Sequence, residues 1–268
     1  PYIKIQLMIA GPILLLTNIL TNQLSIGFLG FSPEDVTASM ILDFFKLYGL
    51  ILLSTLVTAT LVPIITFSYM KAYQSHAPSE ISAAMVLKNL GSKFFNLLGF
   101  NILMYIAIII AMFFLVLPAI YIGIVLSLGS AIILFEENNP IDTFSRAFTL
   151  IKGKWWSTFG LVIVMGIIGY VISLFFGLPR TLLFSVKAIT TTFSDGDLSA
   201  VTQMTTGEQA LSILFSVFET FGSILLYSLS YIAIAFQYFN LVERRESRGL
   251  MSQIEGMDKA AADDDEHY

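Results

Sequence analysis

The chain has 268 residues, of which 56% are hydrophobic and 12% are charged, and its formal net charge is −5. A soluble domain of this length does not tolerate such a composition, so the chain is predicted to be a multipass membrane protein. The absence of cysteine excludes disulfides and thiolate metal sites, and only two histidines, His76 and His267, are present. The usual catalytic and metal-binding chemistry therefore lacks most of its residues, and we expect no catalytic, cofactor or metal site.

The hydropathy pattern predicts an all-α fold with six transmembrane helices, and the first apolar stretch is just long enough to cross a hydrocarbon core of about 30 Å. Gly11 and Pro12 are expected to bend the first span, and Pro179 is expected to end the fifth. A long loop over 180–210 then precedes the last span. The predicted spans are 5–24, 40–70, 96–115, 119–135, 156–178 and 211–239.

The polar stretch 136–156 separates two of these spans and has the pattern of a surface helix. Asn139 is a predicted N-cap, Pro140 suits the first helical position, and Asp142 occupies the acidic position of a capping box. Gly153 is expected to end the helix. The apolar residues recur three and four positions apart and polar residues fill the other side, which predicts an amphipathic helix at a membrane surface. The apolar set is Ile141, Phe144, Phe148, Ile151 and Trp155, and the polar set is Asp142, Ser145, Arg146, Thr149 and Lys152.

An internal repeat relates this stretch to an earlier one. Pro78 and Pro140, Val86 and Phe148, Gly91 and Gly153, and Phe94 and Trp156 all lie 62 positions apart. The pattern predicts a second surface helix after Pro78 and a repeating unit, 78–135 and 140–197, of one surface helix followed by a hairpin of two spans. Applied to the whole chain, it gives three hairpins within a domain of residues 1–240, a surface helix before Pro1, and a cytoplasmic tail at 241–268 with a disordered acidic end.

The cations are distributed unequally between the two sides of the six-span arrangement. The positive-inside rule then places both termini and the surface helices in the cytoplasm, and the loop 191–207 outside. One side carries Lys4, Lys71, Lys88, Lys93, Arg146, Lys152, Lys154, Arg244, Arg245, Arg248 and Lys259, against Lys46, Arg180 and Lys187 on the other.

The stretch 136–156 resembles the cytoplasmic loop of a broad group of bacterial six-helix membrane proteins. The resemblance rests on Glu136, Pro140, Phe144, Arg146, Ala147, Phe148, Leu150, Lys152, Gly153, Trp155 and Trp156. That group includes the membrane domain attached to some glycerophosphoryl diester phosphodiesterases and the uncharacterised YciC-type proteins. The phosphodiesterase domain itself needs histidines and acids that this chain lacks. The resemblance implies a fold and a bacterial inner membrane location, without a reaction.

Three features are candidates for function, and each has a structural alternative. Arg146, Lys152, Lys154, Trp155 and Trp156 could contact anionic lipid or an acidic partner, or could only anchor the chain at the headgroup layer. Small residues on the fourth and fifth spans, including Gly123 and Gly169, could pack within the protein or form a dimer interface. Polar stripes on the second and sixth spans could line a cavity or satisfy one another. The stripe on the second span is Asp43, Lys46, Ser54, Thr58 and Thr66, and that on the sixth is Ser212, Ser216, Glu219, Ser223, Tyr227 and Ser230.

Within those stripes, Lys46 and Glu219 are predicted to lie at similar depths and to form an intramembrane ion pair, with Asp43 as the competing partner of Lys46. Two functions remain open: a non-catalytic scaffold or lipid-interacting subunit, and a small transporter or lipid-handling protein with a polar cavity. An enzyme is the least favoured alternative, because the spans contain no nucleophile beside a base. Expected partners are membrane lipids and a cytoplasmic or membrane protein, with no nucleic acid.

Overall fold

The computed structural model describes residues 1–29, 37–88, 90–195 and 204–247, with side chains for all of these except 26–29, 191, 192, 194 and 195. Within these ranges the chain forms helices and no strand. The helices are α1 Tyr2–Ile9, α2 Gly11–Leu29, α3 Ala38–Tyr73, α4 Ala83–Val86, α5 Leu90–Phe114, α6 Val116–Leu126, α7 Gly129–Glu136, α8 Pro140–Ile151, α9 Trp155–Asp195 and α10 Thr206–Glu246.

Five of the described helical segments are long and apolar enough to cross a membrane: α3, α5, α6 with α7, α9 and α10. The pair α1 and α2 would be a sixth, bent by 55° at Ala10. The bend predicted at Gly11 and Pro12 is thus confirmed, because Gly11 starts the new helix and Pro12 lies in its first turn, where its missing N–H is tolerated. The chain is a helical membrane protein with five to six candidate spans.

Helices that follow one another in the chain pack together, as α2 does on α3, α5 on α6 and α9 on α10. The long helices α3 and α10 also pack against each other, and α2 contacts both. α9 lies at the periphery, because few of its residues from Trp155 to Thr190 are buried. The largest core cluster includes Ile64, Phe67, Leu97, Phe100 and Ile132 and lies where α3, α5, α6, α7, α8 and α10 meet.

Side-chain hydrogen bonds join the helices across this apolar interior, where no water competes for donors and acceptors. They involve parts of the predicted polar stripes: Ser212 belongs to the stripe on the last span and Thr66 to that on the second. The bonds are Gln6 to Thr66, Asn18 to Thr220, Asn22 to Ser212, Asn101 to Thr60 and Gln237 to Thr158, all between 2.9 and 3.1 Å.

The fifth long helix does not end at Pro179, where the fifth span was predicted to end. α9 continues through Pro179 to Asp195, so much of the predicted loop is helical. Contacts with α10 beyond the proline explain this: Arg180 Nε lies 3.0 Å from Glu219 Oε1, and Lys187 Nζ donates to Glu208 Oε2 at 2.8 Å. These tertiary contacts override the local helix-breaking preference of proline. Of the loop expected outside, 196–203 falls outside the described residues.

The prediction of a second surface helix after Pro78 is also wrong. Its place is taken by α4, which has only one turn, and Gly91 lies inside α5 instead of ending a helix. The residue before Pro78 is Ala77, which has no side-chain acceptor, whereas Ser82 Oγ accepts from Met85 N at 3.3 Å and starts the helix later. The sequence match with the region of Pro140 does not therefore extend to the local structure.

Candidate functional site

The connection from the end of α7 to the start of α9, residues 136–156, is named here the α8 elbow. Glu136 ends α7, and Glu137 takes a left-handed conformation with φ of 59°. Asn139 Oδ1 then accepts from Asp142 N at 2.9 Å, and Pro140 begins α8. The predicted cap by Asn139 and the start at Pro140 are confirmed, and both depend only on neighbouring residues. The Asp142 carboxylate accepts from the Asn139 side chain, and not from its backbone N–H as the predicted capping box requires.

The other end of the elbow is formed by Gly153, which has φ of 78°. α8 ends at Ile151, and after the turn at Gly153 the helix α9 begins at Trp155. A left-handed residue at this position suits glycine, which has no Cβ to clash with the backbone. The predicted role of Gly153 as the helix stop is confirmed.

α8 presents three different faces. Thr143, Ala147, Leu150 and Ile151 are buried against the bundle. A second, apolar face is open, since Ile141 is 74% exposed and Phe148 is 40% exposed. The predicted apolar stripe is therefore divided between the core and the surface. The third face carries exposed polar side chains at Asp142, Ser145 and Thr149.

Arg146 occupies the centre of a charged cluster. Its Nη2 donates to Glu136 Oε1 at 2.7 Å and its Nε donates to Oε2 of the same residue at 2.8 Å, while Nη2 also lies 2.5 Å from Glu246 Oε1 at the end of α10. Tyr238 Oη donates to Glu136 Oε1 at 2.9 Å. The hydrogen bonds to Glu136 raise the pKa of Arg146 above its ordinary value, although burial acts in the opposite direction. Two carboxylates thus compensate the one guanidinium.

Two further cations hold the ends of the short helices. Lys71 Nζ of α3 donates to Leu134 O at 2.6 Å and lies 5.4 Å from the centre of the Phe135 ring. Arg245 Nη1 of α10 donates to Thr149 O near the end of α8. Carbonyl groups in the last turn of a helix lack intrahelical partners, and cations stabilise them. The elbow is therefore fixed to α3 and α10 at several points.

The remaining predicted site residues separate into packed and exposed ones. Trp155 stacks between Tyr121 and Phe159, with ring centroids 5.6 and 4.9 Å away. Trp156 is 76% exposed, and Lys152 and Lys154 are exposed beside it. The structure therefore leaves Lys152, Lys154 and Trp156 on the surface, while it turns Arg146 and Trp155 inward.

The predicted pair of Lys46 and Glu219 is wrong. Lys46 Nζ lies 3.1 Å from Asp43 Oδ1, and both side chains are largely exposed. Glu219 instead pairs with Arg180. The sequence predicts a loop at Arg180, after Pro179, and the rotation of a helix about its axis does not follow from residue depth alone. The competing alternative, Asp43, is the partner that the structure gives to Lys46.

Sequence reasoning missed Glu246, Tyr238 and Lys71 as parts of the site. For the pairing of Glu136 with Arg146, the one available signal was that both residues belong to the stretch that carries the family resemblance, ten positions apart. The three missed residues come from distant parts of the chain, so no local pattern points to them. Among the described residues, no group of three or more His, Asp or Glu side chains could hold a metal ion.

The helices and the elbow together define a helical membrane protein in which an ion-pair cluster fixes the short helix α8. A family model described as "Domain of unknown function (DUF7847)" matches residues 44–231, and the chain belongs to this family. The matched part includes the whole elbow. No curated protein and no solved structure matches the chain.

Proposed function

We propose that this protein is a non-catalytic, lipid-interacting scaffold of the bacterial inner membrane. In this proposal the six spans form three hairpins, both termini are cytoplasmic, and α8 lies in the cytoplasmic headgroup layer. The exposed polar face of α8, with Asp142, Ser145 and Thr149, is then turned to the cytoplasm, where it is available to a protein partner. The distribution of cations supports this orientation.

The observation that carries the proposal is the open apolar face of α8. A helix of twelve residues is about 18 Å long and cannot cross the hydrocarbon core. Ile141 and Phe148 are exposed on it, and Ile141 borders a cavity of about 580 Å³ with Ile102 and Leu103 of α5. Both α5 residues are themselves exposed, so the open face of α8 continues the apolar outer wall of a candidate span. Such a helix suits the boundary between headgroups and acyl chains.

The cations at the end of α8 give this surface a preference for anionic lipid. Lys152 and Lys154 are exposed next to Trp156, whereas the charge of Arg146 is compensated by Glu136 and Glu246. Each cation near an anionic surface contributes on the order of 1 kcal/mol. The two lysines, rather than all three predicted cations, therefore account for the proposed lipid preference.

A transporter receives less support, because several of the polar side chains predicted to line its cavity have other partners. Ser212 accepts from Asn22 of α2, and Thr66 accepts from Gln6 of α1. Ser216 Oγ donates to Ser212 O of its own helix at 3.0 Å. These bonds account for packing without a ligand, since polar side chains commonly join membrane helices.

The experiment that tests this proposal uses the two tryptophans of the chain, Trp155 and Trp156, as reporters in reconstituted vesicles. Brominated phosphatidylglycerol and brominated phosphatidylcholine quench tryptophan on contact, so the ratio of quenching reports the preference for anionic lipid. The double variant Lys152→Gln, Lys154→Gln should lose most of this preference, about fivefold in relative binding for each lysine. As a control, Lys46→Gln removes an exposed lysine far from the elbow and should leave the preference for anionic lipid at the tryptophans unchanged. An unchanged preference in the double variant would reject the proposal.

A further inference from the structure

A second candidate lipid site lies far from the elbow, in an open cavity of about 310 Å³ between α2 and α9. Most of its lining side chains are polar, although the neighbouring surface of α9 is apolar, with Leu182, Val186 and Ile189 exposed. The lining residues are Asn22, Ser25, Arg180, Thr181, Phe184, Ser185 and Ala188. Its volume is at the lower end of the range for ligand sites, about 300–1,000 Å³, so it fits a headgroup rather than a whole lipid.

Arg180 gives this cavity its chemistry. Its Nε pairs with Glu219, while its Nη1 is buried and has no hydrogen-bond partner among the described residues. A guanidinium remains charged in proteins and carries five N–H donors. A buried donor without a partner is unfavourable, so the protein leaves Nη1 of Arg180 without an acceptor. The planar fork of arginine matches the oxygen atoms of a phosphate.

The depth of Arg180 agrees with such a ligand. Arg180 follows Trp156 by 24 residues on the same helix, so the two lie about 36 Å apart along its axis. The hydrocarbon core is about 30 Å thick, and the bilayer with its headgroups is about 40–45 Å thick. If Trp156 lies in one headgroup layer, Arg180 lies at phosphate depth in the other.

We propose that the cavity between α2 and α9 binds the phosphate of a phospholipid in the leaflet opposite the elbow, with Arg180 as the main donor and Ser185 beside it. Glu219 keeps the arginine in place through Nε, while Nη1 has no acceptor among the described residues. Because this ion pair has no net charge, recognition depends on the unpaired Nη1 donor of Arg180. The apolar side chains of Leu178 and Leu174 are exposed two and six residues before Arg180, nearer the bilayer centre, and offer a surface for the acyl chains.

A fluorophore near the cavity can report this site separately from the elbow. Ser173 is exposed on α9 two turns below Thr181, and Ser173→Cys would be the only cysteine in the chain. We would attach a bimane label there, reconstitute the full chain in vesicles, and compare quenching by brominated phosphatidylglycerol with quenching by a brominated galactosyl diacylglycerol that lacks phosphate. The unsubstituted cavity should prefer the phospholipid.

The variants then separate phosphate binding from a purely structural ion pair. Arg180→Gln should lower the relative binding of the phospholipid about tenfold or more, because a charge-assisted hydrogen bond is lost. Glu219→Gln should maintain or increase that binding, because the arginine gains net charge. Ser185→Ala should lower it by a smaller factor and provides the test if Arg180→Gln does not fold. Lys46→Gln should have no effect.

Three results would overturn the proposal. The first is an undiminished preference in both Arg180→Gln and Ser185→Ala. The second is an equal loss in Arg180→Gln and Glu219→Gln, which would mean that the pair only supports the packing of α9 on α10. The third is loss of the preference for phospholipid when inorganic phosphate is added at about 10 mM, a concentration that would fill a site with a millimolar dissociation constant. That result would identify free phosphate as the ligand instead of a lipid.

Discussion

Arg146 of α8 reaches back to Glu136, the last residue of α7, and joins it through contacts of 2.7 and 2.8 Å. The two residues are ten positions apart, so this ion pair closes the chain between α7 and α8 into a fixed turn. Glu246 at the end of α10 contacts the same guanidinium. The direction of α8 is therefore set by side chains from three helices and does not depend on the surrounding lipid alone.

The first prediction concerns this pair. Arg146→Gln should lower the free energy of unfolding in detergent by on the order of 2 kcal/mol, because Glu136 and Glu246 then face each other without a cation between them. Thermal unfolding of the purified protein measures the effect. Glu136→Gln should also destabilise the protein, and the double variant should lose less than the sum of the two.

Lys152→Gln is the matched control, because it removes an exposed cation from the same elbow and should change stability by less than about 0.5 kcal/mol. Equal, small effects of Arg146→Gln and Lys152→Gln would show that the cluster does not fix the elbow.

The second prediction compares two glycines that differ in backbone conformation. A Cβ would meet nothing within 4 Å at either Gly153 or Gly160, but only Gly153 has a positive φ, of 78°. Gly153→Ala should therefore destabilise the protein by about 1 kcal/mol, whereas Gly160→Ala, inside α9, should be neutral or slightly stabilising. Thermal unfolding again provides the measurement, and a reversed order would contradict the assigned turn.

The third prediction concerns close packing between α5 and α7. A Cβ on Gly129 would lie 1.9 Å from Cζ of the buried Phe100 ring, so Gly129→Ala requires the ring to move. Overpacking of this kind costs about 1–3 kcal/mol. Gly49→Ala meets nothing within 4 Å and should be tolerated. Similar folded yields and melting temperatures for the two variants would argue against this packing.

The fourth prediction is topological. Ser145 on α8 and Ser39 at the start of α3 are both exposed, and they should face opposite sides of the membrane. In intact bacterial cells, an impermeant maleimide should label Ser39→Cys and leave Ser145→Cys unlabelled until the cells are opened. Labelling of Ser145→Cys alone in intact cells would reverse the proposed orientation, and labelling of both would contradict a span between them.

The sequence predicted the structure best where neighbouring residues determine it. Asn139, Pro140 and Gly153 are assigned correctly because caps and left-handed turns depend on a few adjacent groups. The prediction of a second surface helix was wrong because helix caps depend on the adjacent residue, and Ala77 cannot cap a helix as Asn139 does. The pairing of Glu219 was wrong because it depends on how α9 and α10 rotate against each other, which apolar periodicity in a membrane does not specify.

The end of α9 shows a related limit. Proline and the polar residues after it are typical of a loop, and Pro179 was interpreted in that way. The helix continues because Arg180 and Lys187 find carboxylates on α10, and these partners lie more than 20 positions away along the chain. Arg180 therefore could not be predicted as a site residue before the two helices were placed together.

Spin labels along α8 would show whether this helix lies in the membrane surface with one face in the apolar boundary, as proposed. Single cysteines at Ile141, Ser145, Phe148 and Thr149 in reconstituted protein would carry a nitroxide, and collision rates with oxygen and with a water-soluble nickel chelate would be measured. We expect oxygen to dominate at 141 and 148 and the nickel chelate at 145 and 149, since the first two positions are on the open apolar face and the others on the polar face. Equal access of the nickel chelate to all four positions would contradict the claim.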